Sequence, residues 1–471
     1  MIHQYTNNGY YIVLDICSGS IHHVDEVAYV VIGWLHEHDI VTTQQLKQHQ
    51  TKEALEKHLS ASYSISELAQ VLEEVILLCE RGQLFTPDTY EEYIEEIKKR
   101  ETVVKALCLH VAHDCNLACQ YCFAKEGEYR GERGLMSLEV GKKAIDFLIA
   151  NSGNRRNLEV DFFGGEPLLN WGVVKEIVAY GRAREEIHHK NLRFTLTTNG
   201  VLLNQAVQEF INCEMDNVVL SLDGRKELND ILRPFPSGKG SYDFIVPKFQ
   251  QMVESRDHKK YYIRGTFTRK NLDFSKDVLH MHELGFNHIS IEPVVGKEQD
   301  DYAIKEDDLP RIFQEYDTLA KEMVERQKRG EGFTFFHFMI DLAGGPCVAK
   351  RLSGCGAGTE YLAVTPWGDL YPCHQFVGNE DFKLGDVEQG IDAWHLVKDF
   401  KSCSVYSKSE CEDCFARFYC SGGCMANARE FEQSIHGIYP IGCELERKRV
   451  ECAIMMQVAL ADNRGTSRAL E

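Results

Sequence analysis

Three thiols fall within eight residues at Cys115, Cys119 and Cys122, in the segment "CNLACQYC". Seven more follow far downstream. Cys355 is separated by twelve residues from Gly368, and Cys373 lies beyond four more; Cys411, Cys414, Cys420 and Cys424 then have CxxC, five and three residues between them, and Cys443 closes the set. A loop with CxxxCxxC spacing can wrap three irons of a [4Fe-4S] cube, leaving the fourth iron without a local ligand, whereas most cluster proteins close the cube with a fourth Cys. Such an open iron is a Lewis acid able to chelate an amine and a carboxylate. On spacing alone an incomplete zinc site is the competing reading of the first group. Four of the later thiols would suit an all-cysteine zinc site, although seven exceed what one zinc needs.

The elements that must position these thiols alternate in type. From residue 105 to about 300, short apolar runs such as "ALCLHVA", "LEVDFFGGEP", "LRFTLTTNG", "NVVLSLDG", "YYIRGTFTR" and "HISIEPV" are separated by amphipathic helical stretches. Six such units predict an α/β fold with a parallel sheet, curved into a partial (β/α)6 barrel. Several runs end in polar or Gly-containing loops, at Gly164-Gly165-Glu166, around Asn199, and at Ser221 and Asp223. In parallel α/β folds these strand-end loops build the active site. The CxxxCxxC loop directly follows the first run.

Upstream, "GYYIVLDICSGSIHHVD" reads as two strands around a Ser18-Gly19-Ser20 turn, followed by helices over 24–38 and 65–81. The second helix opens with a Ser64/Glu67 capping box and ends at Gly82. The expected organisation is a small recognition module at 1–90, a charged linker helix at 91–104, the barrel at 105–300, a bridging region at 301–346, a Cys-rich domain with short strands at 347–450, and a C-terminal helix and tail at 451–471.

The 471 residues carry 44% hydrophobic and 26% charged side chains, as a globular protein does, and no apolar run approaches the ~20 residues of a membrane span. A formal charge of −20 disfavours nonspecific nucleic-acid binding, which needs phosphate neutralisation. Without a secretion signal the expected compartment is the cytoplasm, where 17 cysteines point to metal or redox chemistry rather than disulfides. Cys17, Cys79, Cys108, Cys213, Cys403 and Cys452 fit no spacing and read as inert thiols. Asp161 and Glu292 lie near the expected active edge and read equally as hydrogen-bonding supports or as proton acceptors.

"CNLACQYCFA", with Tyr121 before the third Cys, resembles the radical S-adenosylmethionine (SAM) signature. The resemblance implies that Cys115, Cys119 and Cys122 hold the radical-generating [4Fe-4S] cluster, with Gly164, Gly165 and Glu166 ("GGEP") at the amino group of the cofactor. It further implies sulfonium and ribose contacts from Asn199, Ser221 and Asp223, and a carboxylate contact from Arg233. The later thiols resemble the SPASM extension of peptide-modifying radical enzymes. Two auxiliary [4Fe-4S] clusters are then implied, one on Cys411, Cys414, Cys420 and Cys443, the other on Cys355, Cys373 and Cys424. Cys347 is a candidate fourth ligand for the latter, and without it that iron would be open to a substrate thiolate.

The N-terminal segment resembles the RiPP recognition element, which receives the leader of a precursor peptide as an added strand. The order of the three parts is similar to that of maturases of six-cysteine SCIFF peptides. The resemblance implies three [4Fe-4S] clusters, SAM, an electron donor such as flavodoxin or ferredoxin, and a Cys-rich precursor peptide in which a Cys sulfur is joined to a carbon of another residue. Competing readings are an anaerobic sulfatase-type maturase forming formylglycine, a carbon–carbon peptide crosslinking enzyme, and a non-catalytic metal-binding scaffold.

Overall fold

The computed structural model describes residues 1–129, 131–342 and 348–462. The chain opens with three antiparallel strands, β1 (Ile2–Asn7), β2 (Tyr10–Asp15) and β3 (Ile21–Val24), rather than the two expected. The additional turn is Asn8-Gly9, both with left-handed backbone, φ +47° and +88°. That geometry suits a two-residue hairpin loop, and Asn-Gly adopts it with least strain. Helix α1 (Glu26–Glu37) is capped by Asp25, whose side chain accepts from Ala28 N at 2.8 Å. After α2 (His49–Leu59), helix α3 (Ile65–Glu80) begins with the Ser64/Glu67 capping box and stops before Gly82 at φ +66°. Val31, Ile32 and Leu35 of α1 share a core with Leu68, Val71, Leu72 and Val75 of α3. The short linker helix α4 (Tyr93–Lys99) carries a Glu95–Lys98 pair at 3.0 Å.

Six parallel strands follow and are neighbours in chain order: β4 (Ala106–His113), β5 (Asn157–Gly164), β6 (Asn191–Thr198), β7 (Asn217–Ser221), β8 (Tyr261–Phe267) and β9 (His288–Pro293). Between successive strands run α5 (Leu138–Ala150), α6 (Trp171–His188), α7 (Gln205–Glu214), α8 (Tyr242–Ser255) and α9 (Phe274–Glu283). One face of every strand is apolar and buried: Leu107, Leu109, Phe162, Phe194, Leu220, Ile263 and Ile291 belong to one continuous core. Each such side chain contributes about 1.5–3 kcal/mol by leaving water. The alternate residues, including Cys108, His110, Asp161, Ser221, Arg264 and Glu292, lie on the opposite face. The sheet does not close on itself. The far neighbour of β9 is the two-residue strand Thr334–Phe335, and that of β4 is a strand from the C-terminal region.

That strand, β10 (Tyr361–Val364), follows helix α10 (Leu309–Lys328) in the chain and pairs parallel to β4, with Leu362 opposite Leu107; β11 (Asp369–Tyr371) pairs antiparallel to it. The Cys-rich region therefore extends the barrel sheet instead of standing apart. The last helix, α11 (Pro440–Asp462), begins well before the expected residue 451, which puts Cys443 in its first turn. Arg449 on α11 donates to Tyr316 OH of α10 at 2.9 Å, and Tyr5 OH of β1 donates to Glu451 O at 3.0 Å. Among the described residues no helix is long and apolar enough to cross a membrane.

Candidate active site

The CxxxCxxC loop leaves the end of β4 and is tied to two neighbouring strand-end loops. Ala118 N donates to Pro234 O and Gln120 N to Leu232 O, both at 2.9 Å, so the segment after β7 fixes the loop's outer side. On the other side, Gly165 N donates to Ala112 O at 2.8 Å and Glu166 N to Asp114 O at 2.9 Å. A side chain is sterically barred from both glycines. A Cβ on Gly164, whose φ is +125°, would lie 2.3 Å from Ala112 O, and one on Gly165 would lie 2.1 Å from Asp114 O.

Glu166 is fully buried, and its carboxylate is filled by protein donors: Thr198 Oγ1 and Asn199 N at 2.8 Å, and Leu168 N at 3.0 Å. Asn199 in turn donates from Nδ2 to Asn116 Oδ1 at 2.8 Å and lies 3.7 Å from Cys115 Sγ. Glu166 as placed is thus the anchor of Asn199 and, through it, of the cysteine loop. Sequence reasoning missed Thr198 and Asn116; both sit directly beside residues it had selected, and that adjacency was the available signal.

Tyr121, Asp223 and Arg233 form one buried network. Tyr121 OH donates to the two Asp223 oxygens at 2.9 and 2.7 Å, and Arg233 Nη1 donates to Tyr121 OH at 2.8 Å. Asp223 also accepts from Thr266 N at 3.1 Å and has no exposed surface. As placed, the Asp223 carboxylate holds Tyr121 in position. The Arg233 guanidinium lies 3.8 Å from Asp223, and its buried Nε has no partner among the described residues. Ser221 ends β7 directly opposite Arg264 of β8.

The later thiols gather in two places. Cys411, Cys414, Cys420 and Cys443 line one cavity of about 330 Å³, with Arg417, Glu444, Glu446 and Arg447 on its walls. Arg447 Nη1 lies 3.9 Å from Cys414 Sγ. In the second place, the buried Cys373 thiol is pushed up to about 12, first by burial and then by its neighbours Cys424 and Cys355. Cys355 and Cys424 are exposed. Cys347 lies outside the described residues. Among the described residues no three His, Cys, Asp or Glu side chains converge on one metal ion. Thiols at the corners of an iron–sulfur cube bind different irons and do not converge on one point.

The profile described as "Radical SAM superfamily" matches residues 109–259, the segment from the CxxxCxxC strand to the end of the fourth strand's helix. An uncharacterised protein of Methanocaldococcus jannaschii is 30% identical over 223 residues, covering 47% of this chain and 71% of that protein. The chain belongs to the radical SAM superfamily. The mycofactocin maturase MftC of Mycolicibacterium smegmatis is 28% identical over 348 residues, 71% of this chain and 81% of that one. Among solved structures, Streptococcus suis SuiB bound to the precursor peptide SuiA superposes with a TM-score of 0.53 at 19% identity, covering 94% of this chain and 98% of that one, a likeness of fold.

Radical SAM enzymes use a [4Fe-4S] cluster and SAM, and the residues of this chain fit that requirement. The thiols of Cys115, Cys119 and Cys122 are free of disulfides. Burial pushes Cys115 up to about 12 and Cys119 up to about 11, the latter opposed by Arg233. Such thiols stay protonated near neutrality without metal, so iron binding must displace their protons. The cavity lined by Cys411, Cys414, Cys420 and Cys443 likewise brings four thiols to one space of about 330 Å³.

Proposed function

We propose that this protein is a peptide maturase that joins a Cys sulfur to a carbon of another residue in a Cys-rich, ribosomally made precursor. When bound, the cluster on Cys115, Cys119 and Cys122 together with SAM supplies a 5′-deoxyadenosyl radical that removes a hydrogen atom from the peptide. Gly165, Asn199 and Ser221 line the strand ends where the cofactor would sit, and the Tyr121–Asp223–Arg233 network keeps that floor rigid. Two auxiliary [4Fe-4S] clusters would occupy the Cys411, Cys414, Cys420, Cys443 cavity and the Cys355, Cys373, Cys424 group, with electrons supplied by a flavodoxin- or ferredoxin-type donor.

The observation that carries this reading is the second group. Cys373 closely follows β11, and its neighbour His374 lies 5.7 Å, ring to ring, from Phe123, the residue after Cys122, so a peptide on the face of the sheet opposite the helices would reach both thiols and radical site. The name of MftC as a maturase and the SuiB–SuiA complex support a precursor peptide as substrate. The edge of β3 and the adjacent α3 are the surface we assign to the leader.

The test is anaerobic incubation of a Cys-rich precursor with iron-loaded enzyme, SAM and reductant, followed by thiol alkylation and mass spectrometry. Loss of two hydrogens with one fewer alkylatable Cys per event supports the thioether. Loss of two hydrogens with every thiol still alkylatable would overturn it in favour of a carbon–carbon crosslink, and conversion of Cys to formylglycine would point to sulfatase-type chemistry.

A further inference from the structure

Lys408 is buried, 3% exposed, in the segment just before Cys411. Its ammonium donates to two backbone carbonyls, Gly422 O and Gly437 O, each at 2.8 Å. Among the described residues it has no carboxylate partner. A lysine taken out of water costs several kcal/mol unless an anion lies close by, so an unpaired buried ammonium calls for a negative group the protein chain does not itself supply. The two carbonyls locate that group. Gly422 lies between Cys420 and Cys424, which belong to different thiol sets, and Gly437 lies in the turn that leads into α11 and Cys443. Lys408 therefore sits at the junction of the two sets.

We propose that Lys408 is the fixed counter-charge shared by the two auxiliary clusters, and that it raises the reduction potential of both. This rests on the reading above that the two thiol sets hold iron–sulfur clusters. Thiolate-ligated cubes carry net negative charge, and reduction adds another. A positive charge held beside them stabilises the reduced form more than the oxidised one. The Lys408 charge reaches thiols of both sets, Cys411 and Cys443 of one and Cys424 of the other. One side chain thus acts on ligands of both sets. Charge effects among cluster surroundings set potential as much as ligand identity does. In a maturase this matters because an auxiliary cluster that takes up an electron from the peptide radical must be easier to reduce than the cluster that makes the radical.

Lys408→Gln keeps a donor for the two carbonyls while removing the charge, so it separates tuning from mere bracing. The measurement is a potentiometric titration of reconstituted full-length enzyme followed by EPR, with iron counted per chain. A Cys119→Ala background leaves only the auxiliary signals. The expected result is unchanged iron and a reduced-to-oxidised ratio lower on the order of tenfold at fixed potential for both auxiliary clusters, 59 mV for a one-electron couple. Unchanged iron with unchanged potentials overturns the proposal. Should Lys408→Gln lose the clusters, Lys408→Arg decides: recovery of iron with Arg supports a need for charge, and loss with Arg as well shows that only the fit of lysine matters and overturns it. Wild-type protein holding only the Cys115, Cys119 and Cys122 cluster would instead overturn the functional reading itself.

Discussion

At the scale of single residues, the chemistry was legible wherever it depends on spacing within one segment. The ten motif thiols and the glycines of "GGEP" are of this kind, and the steric reason for the glycines is concrete. Gly165→Ala would place a methyl 2.1 Å from the Asp114 carbonyl, which leads directly into Cys115. Displacing that loop by about an ångström is expected to lower SAM cleavage on the order of 100-fold, while the N-terminal module and its melting transition stay intact. Measurement of 5′-deoxyadenosine in reduced protein checks this. What was not legible depends on pairs far apart in the chain. Asp223 reads in the sequence as a residue of a polar strand-end loop, and only the fold brings Tyr121 and Arg233 onto it. Lys408 carried no motif at all; its meaning comes from Gly422 and Gly437, and from the lack of a carboxylate partner among the described residues.

Asp161 illustrates how a residue flagged by its position acquires a different role from its surroundings. Burial, aided by Glu159 and opposed by a bond to Thr195, pushes its carboxyl up to about 6. A carboxyl raised above its unfolded value binds more protons folded than unfolded between about pH 4 and 6, so folded stability falls as pH rises through that window and stays low above it. Asp161→Asn, which keeps the shape and loses the charge, is expected to raise the melting temperature of the cluster-free protein at pH 7.5 and to leave it unchanged at pH 4. The gain corresponds to about 1–3 kcal/mol. Equal melting temperatures at pH 7.5 would show that the carboxylate is solvated and available as a base.

At the scale of elements, the six strands and the helices between them follow from apolar period and from polar strand ends, and those elements formed where expected. The N-terminal sheet formed around its expected turn but with one strand more. Asn8-Gly9 is a strong hairpin signal, yet β1 was missed because "MIHQYTN" has too little apolar alternation to read as a strand on its own. Its burial comes from α11, at the other end of the chain: Tyr5 meets Glu451 and His3 Nε2 lies 2.9 Å from Glu451. Helix α3 is the opposite case, since its capping box is entirely local. Ser64→Ala should cost about 1 kcal/mol in stability of the module, seen as faster amide exchange in the first turn of α3 with the barrel unaffected.

At the scale of the whole molecule, the N-terminal module is packed onto the loop between Cys414 and Cys420, one of the loops that line the four-cysteine cavity. His3 stacks on Phe415 with centroids 3.5 Å apart, Asp88 pairs with the buried Arg417 at 2.7 Å and accepts from Tyr406 OH, and Tyr90 meets Phe418 at 4.9 Å. A module that merely delivered a peptide could hang on a flexible tether; this one is in contact with a loop that lines the four-cysteine cavity. These contacts hold the loop between Cys414 and Cys420 in place, so removing them is expected to loosen the cavity that the loop lines. Replacing Asp88 by Ala strands the Arg417 charge inside the protein, and replacing His3 by Ala removes the stack that holds Phe415. The double variant is expected to release iron from the Cys411, Cys414, Cys420, Cys443 cavity to a chelator on the order of tenfold faster than wild type, with the Cys115, Cys119, Cys122 cluster extracted at its ordinary rate. Equal extraction rates for all clusters would mean that the contact is only mechanical packing, and that the module and the auxiliary site respond to their ligands independently.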